Sequence, residues 1–374
     1  MNRGSGLISI WLSFSILLLS AGLVSHVMSI PLLLGAAQRD AWVAVLVAAP
    51  FFLLWLVLLF VVLKQLRGER IPDWIARHFG RIPAWIFRLS AFIILFLSGT
   101  YTLHDTSMWT VVTYMQQTPV QAIILIAIVT SVLAAYGGLR TIAMTSSVLL
   151  PVVILLGYFV ATANTKYKDL SLLFPILERG WQPVWQGAFF ALGGLLELWI
   201  LMLFQHQLRN KLRLWQLILL GLFMITMSIG PTIGAITEFG PIEAAKQRHT
   251  AFDQWKIVNI GKLLQHVDFL SIYQWLCGSF ARVSIALYLM TDMLDVRKPR
   301  SRFITLVVLA AVMTVIAMHL WRDDQTLDYL MQIHFPITVI FVVSVTVLLA
   351  LAVLYRRSRK ESSTDEASKA KAAK

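Results

Sequence analysis

Stretches of apolar residues long enough to cross about 30 Å of hydrocarbon recur along this chain, and nothing constrains its fold more. In lipid each stretch must satisfy its own backbone hydrogen bonds, which leaves the helix as the available form. The runs fall at roughly residues 7–34, 41–63, 89–114, 119–136, 141–163, 187–206, 214–237, 268–291, 303–321 and 330–355. The expectation is therefore an all-α polytopic membrane protein with about ten transmembrane helices. Its 374 residues, 58% apolar and 14% charged, do not suit a set of soluble domains. Arg3 ahead of an apolar run, with Gly35-Ala36-Ala37 behind it, imitates a signal peptide. The run from Leu7 to Leu34 is about twice a usual signal core, so it reads as a retained first span.

A net charge of +13 raises nucleic acid as a partner, but the basic residues gather at helix ends and form no aromatic-interleaved groove. No nucleic-acid partner is expected; the lipid bilayer is. With the N-terminus inside, 22 of the 32 Lys and Arg residues fall in inner segments and nine in outer ones. Positive residues are retained on the cytoplasmic side, so both termini are expected there. Residues 1–355 read as one transmembrane permease-like domain, with halves at about 7–163 and 187–355. Residues 356–374 read as a disordered basic cytoplasmic tail, with Arg356 to Lys360 available to anionic lipid. The segment 65–82 has the pattern of a short amphipathic surface helix. The stretch from Phe239 to His266 is the longest external connection, either a lid or contact surface or a plain loop.

Charges inside spans are costly, about 2.5 to 3.5 kcal/mol each on insertion scales, and mark candidate functional positions. Asp105, Glu197 and Arg282 are the three; Asp105 and Arg282, together with His26, are the ion-pair or coupling candidates. At helical spacing Ser98, Thr102, Asp105 and Trp109 share one face, as do Asp268, Trp275, Ser279 and Arg282. His26 and His104 are the histidines placed to respond to protons. Transporters with inverted repeats interrupt matching helices in their two halves, where unwound backbone offers hydrogen-bond groups at mid-membrane. Ser20-Ala21-Gly22 and Gly193-Gly194, the latter followed by Glu197, are the expected interruptions. Cys277 stands alone among apolar residues, so neither a disulfide nor a metal site is expected. HExxH, GxSxG and P-loop motifs are missing, so no catalytic residue, cofactor or enzymatic activity is expected.

Several stretches resemble the GerB-type spore germination permeases, a branch of the amino acid, polyamine and organocation transporter superfamily. They include Pro31 followed by Asp40-Ala41-Trp42, Thr118-Pro119, and Tyr136-Gly137-Gly138-Leu139-Arg140. Further on come Leu173-Phe174-Pro175-Ile176-Leu177 and the run from His266-Val267-Asp268 through Trp275 to Ala281-Arg282-Val283-Ser284. The resemblance implies a LeuT-like 5+5 inverted repeat with helices one and six broken around a small-molecule site. It implies a membrane subunit that binds a germinant, an amino acid or related nutrient, in the spore inner membrane beside an A subunit and a C lipoprotein. Carried over by position, the site comprises Gly22, Val24 and Ser25 on helix one and Gly193, Gly194 and Glu197 on helix six. Tyr101 and Thr102 on helix three and Trp275 and Ser279 on helix eight face it. The chain departs from the family at Val24-Ser25-His26-Val27, where a glycine is usual. A proton-coupled amino acid transporter and a structural scaffold are the alternative functions.

Overall fold

The structure is a computed structural model, and it describes the backbone of residues 7–66, 68–259, 266–319 and 326–372. Arg3, Arg67, Lys262 and Arg322 lie outside the described residues, as do the tail's side chains from Arg356 onward.

Among the described residues the regular secondary structure is all helical, with one isolated bridge besides. Eight helical stretches are long and apolar enough to cross a membrane. The first is Ile10–Leu66, 57 residues in one helical succession, or about 85 Å at 1.5 Å per residue. That is more than twice the hydrocarbon thickness, and a short 3₁₀ turn at Gln38–Asp40, with Gln38 at φ 48°, divides it. Before the turn stand α1 (Ile10–Leu23) and α2 (Ser29–Ala37), and after it α3 (Ala41–Leu66). The two sides fold back as neighbours, since α2 and α3 both pack on α8 (Trp181–Leu195).

The remaining long helices are α5 (Arg81–Thr113), α6 (Val120–Gly137), α7 (Leu139–Ala163), α10 (Leu214–Phe239), α13 (Leu270–Met293), α14 (Pro299–His319) and α16 (Phe335–Ala372). The eighth apolar run forms α13, which is not among the eight spans because it carries a polar face. That face is covered: α13 packs on α1, α5, α6 and α7 and buries Ser271, Ser279, Arg282 and Ser284. The stretch Trp181–Gln207 is the innermost of the eight, with 89% of its most apolar window buried against 39% or less in the others. Lipid-length helices that bury this much surface inside a bundle lie at its centre.

The amphipathic segment is α4 (Ile71–Phe79), with Ile71, Trp74 and Ile75 buried against α5. Arg70, just before it, pairs with Asp292 and Asp295 at 2.9 Å each. At the same end of the bundle Ile8 donates to the Gln207 carbonyl and accepts from Arg209, which ties the start of α1 to the end of the Trp181–Gln207 stretch.

Two expectations are corrected in position. Ser20 to Gly22 remain α-helical, and the irregularity comes later, as a π-turn at Val24–Met28. Gly193 and Gly194 likewise stay in α8, and the backbone tightens to 3₁₀ at Leu196–Trp199 before α9 (Ile200–Phe204). Neither segment is unwound. Pro31 accounts for the first displacement: it lacks an N–H and its ring crowds the carbonyl four residues back, at Val27, inside the π-turn. Pro336 stands in the same relation to a second π-turn at Leu330–His334. The last helix, α16, continues to Ala372. Its Ala, Lys and Glu content favours helix, and Asp365 and Lys369 are spaced four apart.

Candidate functional site

The three irregular turns meet at one buried ion cluster. Arg282 of α13 forms a two-pronged contact with Glu197 of the 3₁₀ turn, Nη1 to Oε2 and Nη2 to Oε1, each at 3.0 Å. Their side chains are 1% and 2% exposed. Around them Arg282 donates from Nε to Thr102 Oγ1 at 3.1 Å, from Nη2 to Ser98 Oγ, and from Nη1 towards the Ser20 carbonyl at 3.5 Å. His334, the last residue of the second π-turn, places Nε2 3.2 Å from Glu197 Oε1. A charge buried in an apolar bundle is tolerated only when paired and hydrogen-bonded, and here five helical segments supply the partners.

The glycines of α8 permit this convergence. A Cβ on Gly194 would meet Ser25 Cα at 3.0 Å, and one on Gly193 would meet Phe335 Cγ at 2.8 Å. They bring α8 against both π-turns rather than unwinding it. Val24 and Ser25 are fully buried in that contact. Tyr101 is also buried, with its hydroxyl directed to Met28 Sδ and its ring 5.7 Å from His334.

Above the cluster lies an aromatic layer. Trp109 of α5 and Trp275 of α13 stack at 4.1 Å with 11° between planes. The segment after α10 seals this layer, because Phe252 of α12 (Thr250–Lys256) sits edge-on to Trp109 at 5.5 Å and His249 edge-on to Trp275 at 5.3 Å. Arg248 Nη2 reaches Asp105 Oδ1 at 2.9 Å. Asp105 therefore shares its predicted face with Ser98, Thr102 and Trp109 but engages Arg248 of the segment after α10. An Arg248→Ala substitution is expected to loosen residues 245–258, raising their hydrogen exchange by about tenfold or more, the scale of one lost charge-assisted hydrogen bond. Unchanged protection would show that the pair does not hold the segment.

Acid is expected to act on the same segment. Burial, with Arg248 and Lys256 adding repulsion, pushes the His249 imidazole down to about 3 from its ordinary 6.5. The unfolded or undocked form then binds the extra proton, so docking is fully stable above pH 6.5 and weakens as pH falls towards 3. At pH 5 the loss amounts to about 2 kcal/mol. Exchange protection of residues 245–258 should fall between pH 8 and pH 5 after correction for intrinsic rates, and His249→Phe should abolish that dependence.

Of the residues named from sequence, Glu197, Arg282, Thr102, Tyr101, Val24, Ser25, Gly193 and Gly194 gather at the cluster, and Trp275 forms the layer above. Ser279 is buried on the α13 face between Trp275 and Arg282. Gly22 and His26 point elsewhere: both line a lateral cavity, and His26 Nδ1 sits 3.0 Å from the Met227 carbonyl. His104 is taken up by the Ala317 carbonyl at 2.8 Å. His334 escaped the sequence reading because a single His near the start of a span resembles an interfacial residue. The signal that marks it is Pro336 two residues on.

Among the described residues no group of His, Cys, Asp or Glu is arranged to hold a metal ion. Helices of membrane-crossing length packed around a buried guanidinium–carboxylate pair define an integral membrane protein. The family described as spore germination protein matches residues 8–326. Spore germination protein XB of Bacillus anthracis is 35% identical over 350 residues, covering 93% of this chain and 98% of that protein. The chain belongs to the spore germination protein family, whose members are receptors or transporters rather than enzymes.

Proposed function

We propose that this chain is the membrane subunit of a spore nutrient germinant receptor, which binds a small germinant, an amino acid in the first instance, at mid-membrane. Binding shifts the bundle between two arrangements, and an A subunit and a C lipoprotein carry the signal to germination. The observation that carries the reading is the meeting of Arg282, Glu197 and His334 with the two distorted helices, α1–α2 and α8–α9. The charges and backbone groups that a zwitterion needs are gathered there. In this reading the Ile10–Leu66 stretch counts as two crossings and α13 as one more. That gives ten helices in a LeuT-like 5+5 repeat, with both termini cytoplasmic in the spore inner membrane.

Spores lacking the gene, screened against amino acids, sugars and nucleosides, test the proposal. Loss of response to one nutrient class is the expected result. An unchanged response to every class would overturn it.

A further inference from the structure

Beside the ion cluster lies a cavity of about 360 Å³ between α1, α7, α10, α12 and α13. Along α7 it runs from Leu150 to Ala161. Those eleven steps span about 16 Å, half the thickness of a bilayer's hydrocarbon core. Its deep end is bounded by Leu18 and Phe223, both in the middle parts of their helices, and its shallow end by Lys168 and Glu238. Tyr158 lines the cavity and is 61% exposed, so the side between α7 and α10 opens onto the lipid-facing surface. The walls are predominantly apolar, and the absence of side chains at Gly22, Gly157 and Gly230 widens them.

Lys168 and Glu238 stand at the shallow end, and His26, Thr226, Gln254, Ser271, Gln274 and Trp275 add polar groups along the walls. Lys168 Nζ lies 3.8 Å from Glu238 Oε1, with their side chains 22% and 2% exposed. Glu238 Oε2 also accepts from Asn164 Nδ2 at 3.3 Å. Glu238 borders a second, more open depression with Lys256 and His266, so the shallow end meets solvent. On the wall, the Trp275 indole N–H is buried and has no hydrogen-bond partner among the described residues. A buried donor left unpaired costs about 1–3 kcal/mol, which an acceptor brought by a ligand would recover.

We propose that this cavity is a phospholipid site that takes one acyl chain along α7 and reads a zwitterionic aminophospholipid head with Lys168 and Glu238. The phosphate faces Lys168, the primary ammonium faces Glu238, and a glycerol ester carbonyl accepts from Trp275. The lipid comes from the leaflet opposite the N-terminal end of the bundle. A one-leaflet depth, a lateral mouth and opposite charges at the headgroup level together suit such a lipid better than a compact solute. Trp275 is then a wall shared with the aromatic layer, and lipid occupancy bears on the stack with Trp109.

The test is native mass spectrometry of the purified full chain, offered phosphatidylethanolamine or phosphatidylglycerol. One phosphatidylethanolamine should be retained per chain in preference to phosphatidylglycerol. Gly157→Leu fills the groove and should cut retention about tenfold, the equivalent of roughly two buried methylenes. A Cβ there meets only Gln274 Nε2 at 3.7 Å, an ordinary contact, so this variant is expected to stay monodisperse. Glu238→Gln should keep chain binding and lose the headgroup preference. Equal retention in wild type and Gly157→Leu, indifference to headgroup in wild type, or retention of a compact amphiphile in place of lipid would each overturn the proposal.

Discussion

Glu197→Gln is expected to abolish the germination response while the chain still inserts into the membrane. The substitution keeps a side chain of the same shape but removes the carboxylate that Arg282 pairs with among the described residues, at two contacts of 3.0 Å. Arg282 is 1% exposed. Breaking one side of a buried pair costs about 3–5 kcal/mol, because the surviving charge is left uncompensated. Arg282→Met should do comparable damage from the other side. Combining Arg282→Met with Glu197→Leu should recover most of the thermal stability, since matched apolar residues replace a buried pair at little cost, yet leave the response absent. A normal response in Glu197→Gln would remove the pair from the signalling machinery.

Gly194→Val is expected to be nearly as damaging, for a steric reason. Its Cβ would approach Ser25 Cα at 3.0 Å and Ser29 Oγ at 3.1 Å, and the first of these is backbone that cannot rotate away. Separating α8 from the π-turn to make room costs about 1–3 kcal/mol, as overpacking generally does. It also pulls Glu197 from Arg282, so response should fail beyond what the stability loss explains. Ser25→Leu presses on the same contact from the opposite helix and should fail likewise. Gly35→Ala serves as the control: no atom lies within 4 Å of the added carbon, and a helical alanine should be neutral or stabilising by up to about 1 kcal/mol. A wild-type response in Gly194→Val would show that the close approach of α8 to α1–α2 is not needed.

The membrane frame was legible because the periodic supply of apolar residues is a property of the chain itself. Even so, α13 is a helix whose environment could not be read from hydropathy: its polar residues look unfavourable until α1, α5, α6 and α7 cover them. Asp105, Glu197 and Arg282 announced themselves by the cost of burying charge. Which of the two carboxylates Arg282 takes depends on three-dimensional register, and Asp105 goes to Arg248 of the segment after α10 instead. The positions of the distortions were misread for a related reason. Glycines mark where helices approach each other, as at Gly193 and Gly194, whereas prolines displace hydrogen bonds and set the turns at Val24–Met28 and Leu330–His334. Attention to Pro336 rather than to glycine would have brought His334 into the site.

The proposed receptor holds its ligand at Arg282 and Glu197 and does not pass it on. Purified chain in liposomes, offered a labelled germinant, measures this directly. Saturable binding without sustained uptake, lost in Glu197→Gln, is the predicted result. Sustained accumulation inside the vesicles, or the same binding in Glu197→Gln as in wild type, would contradict it.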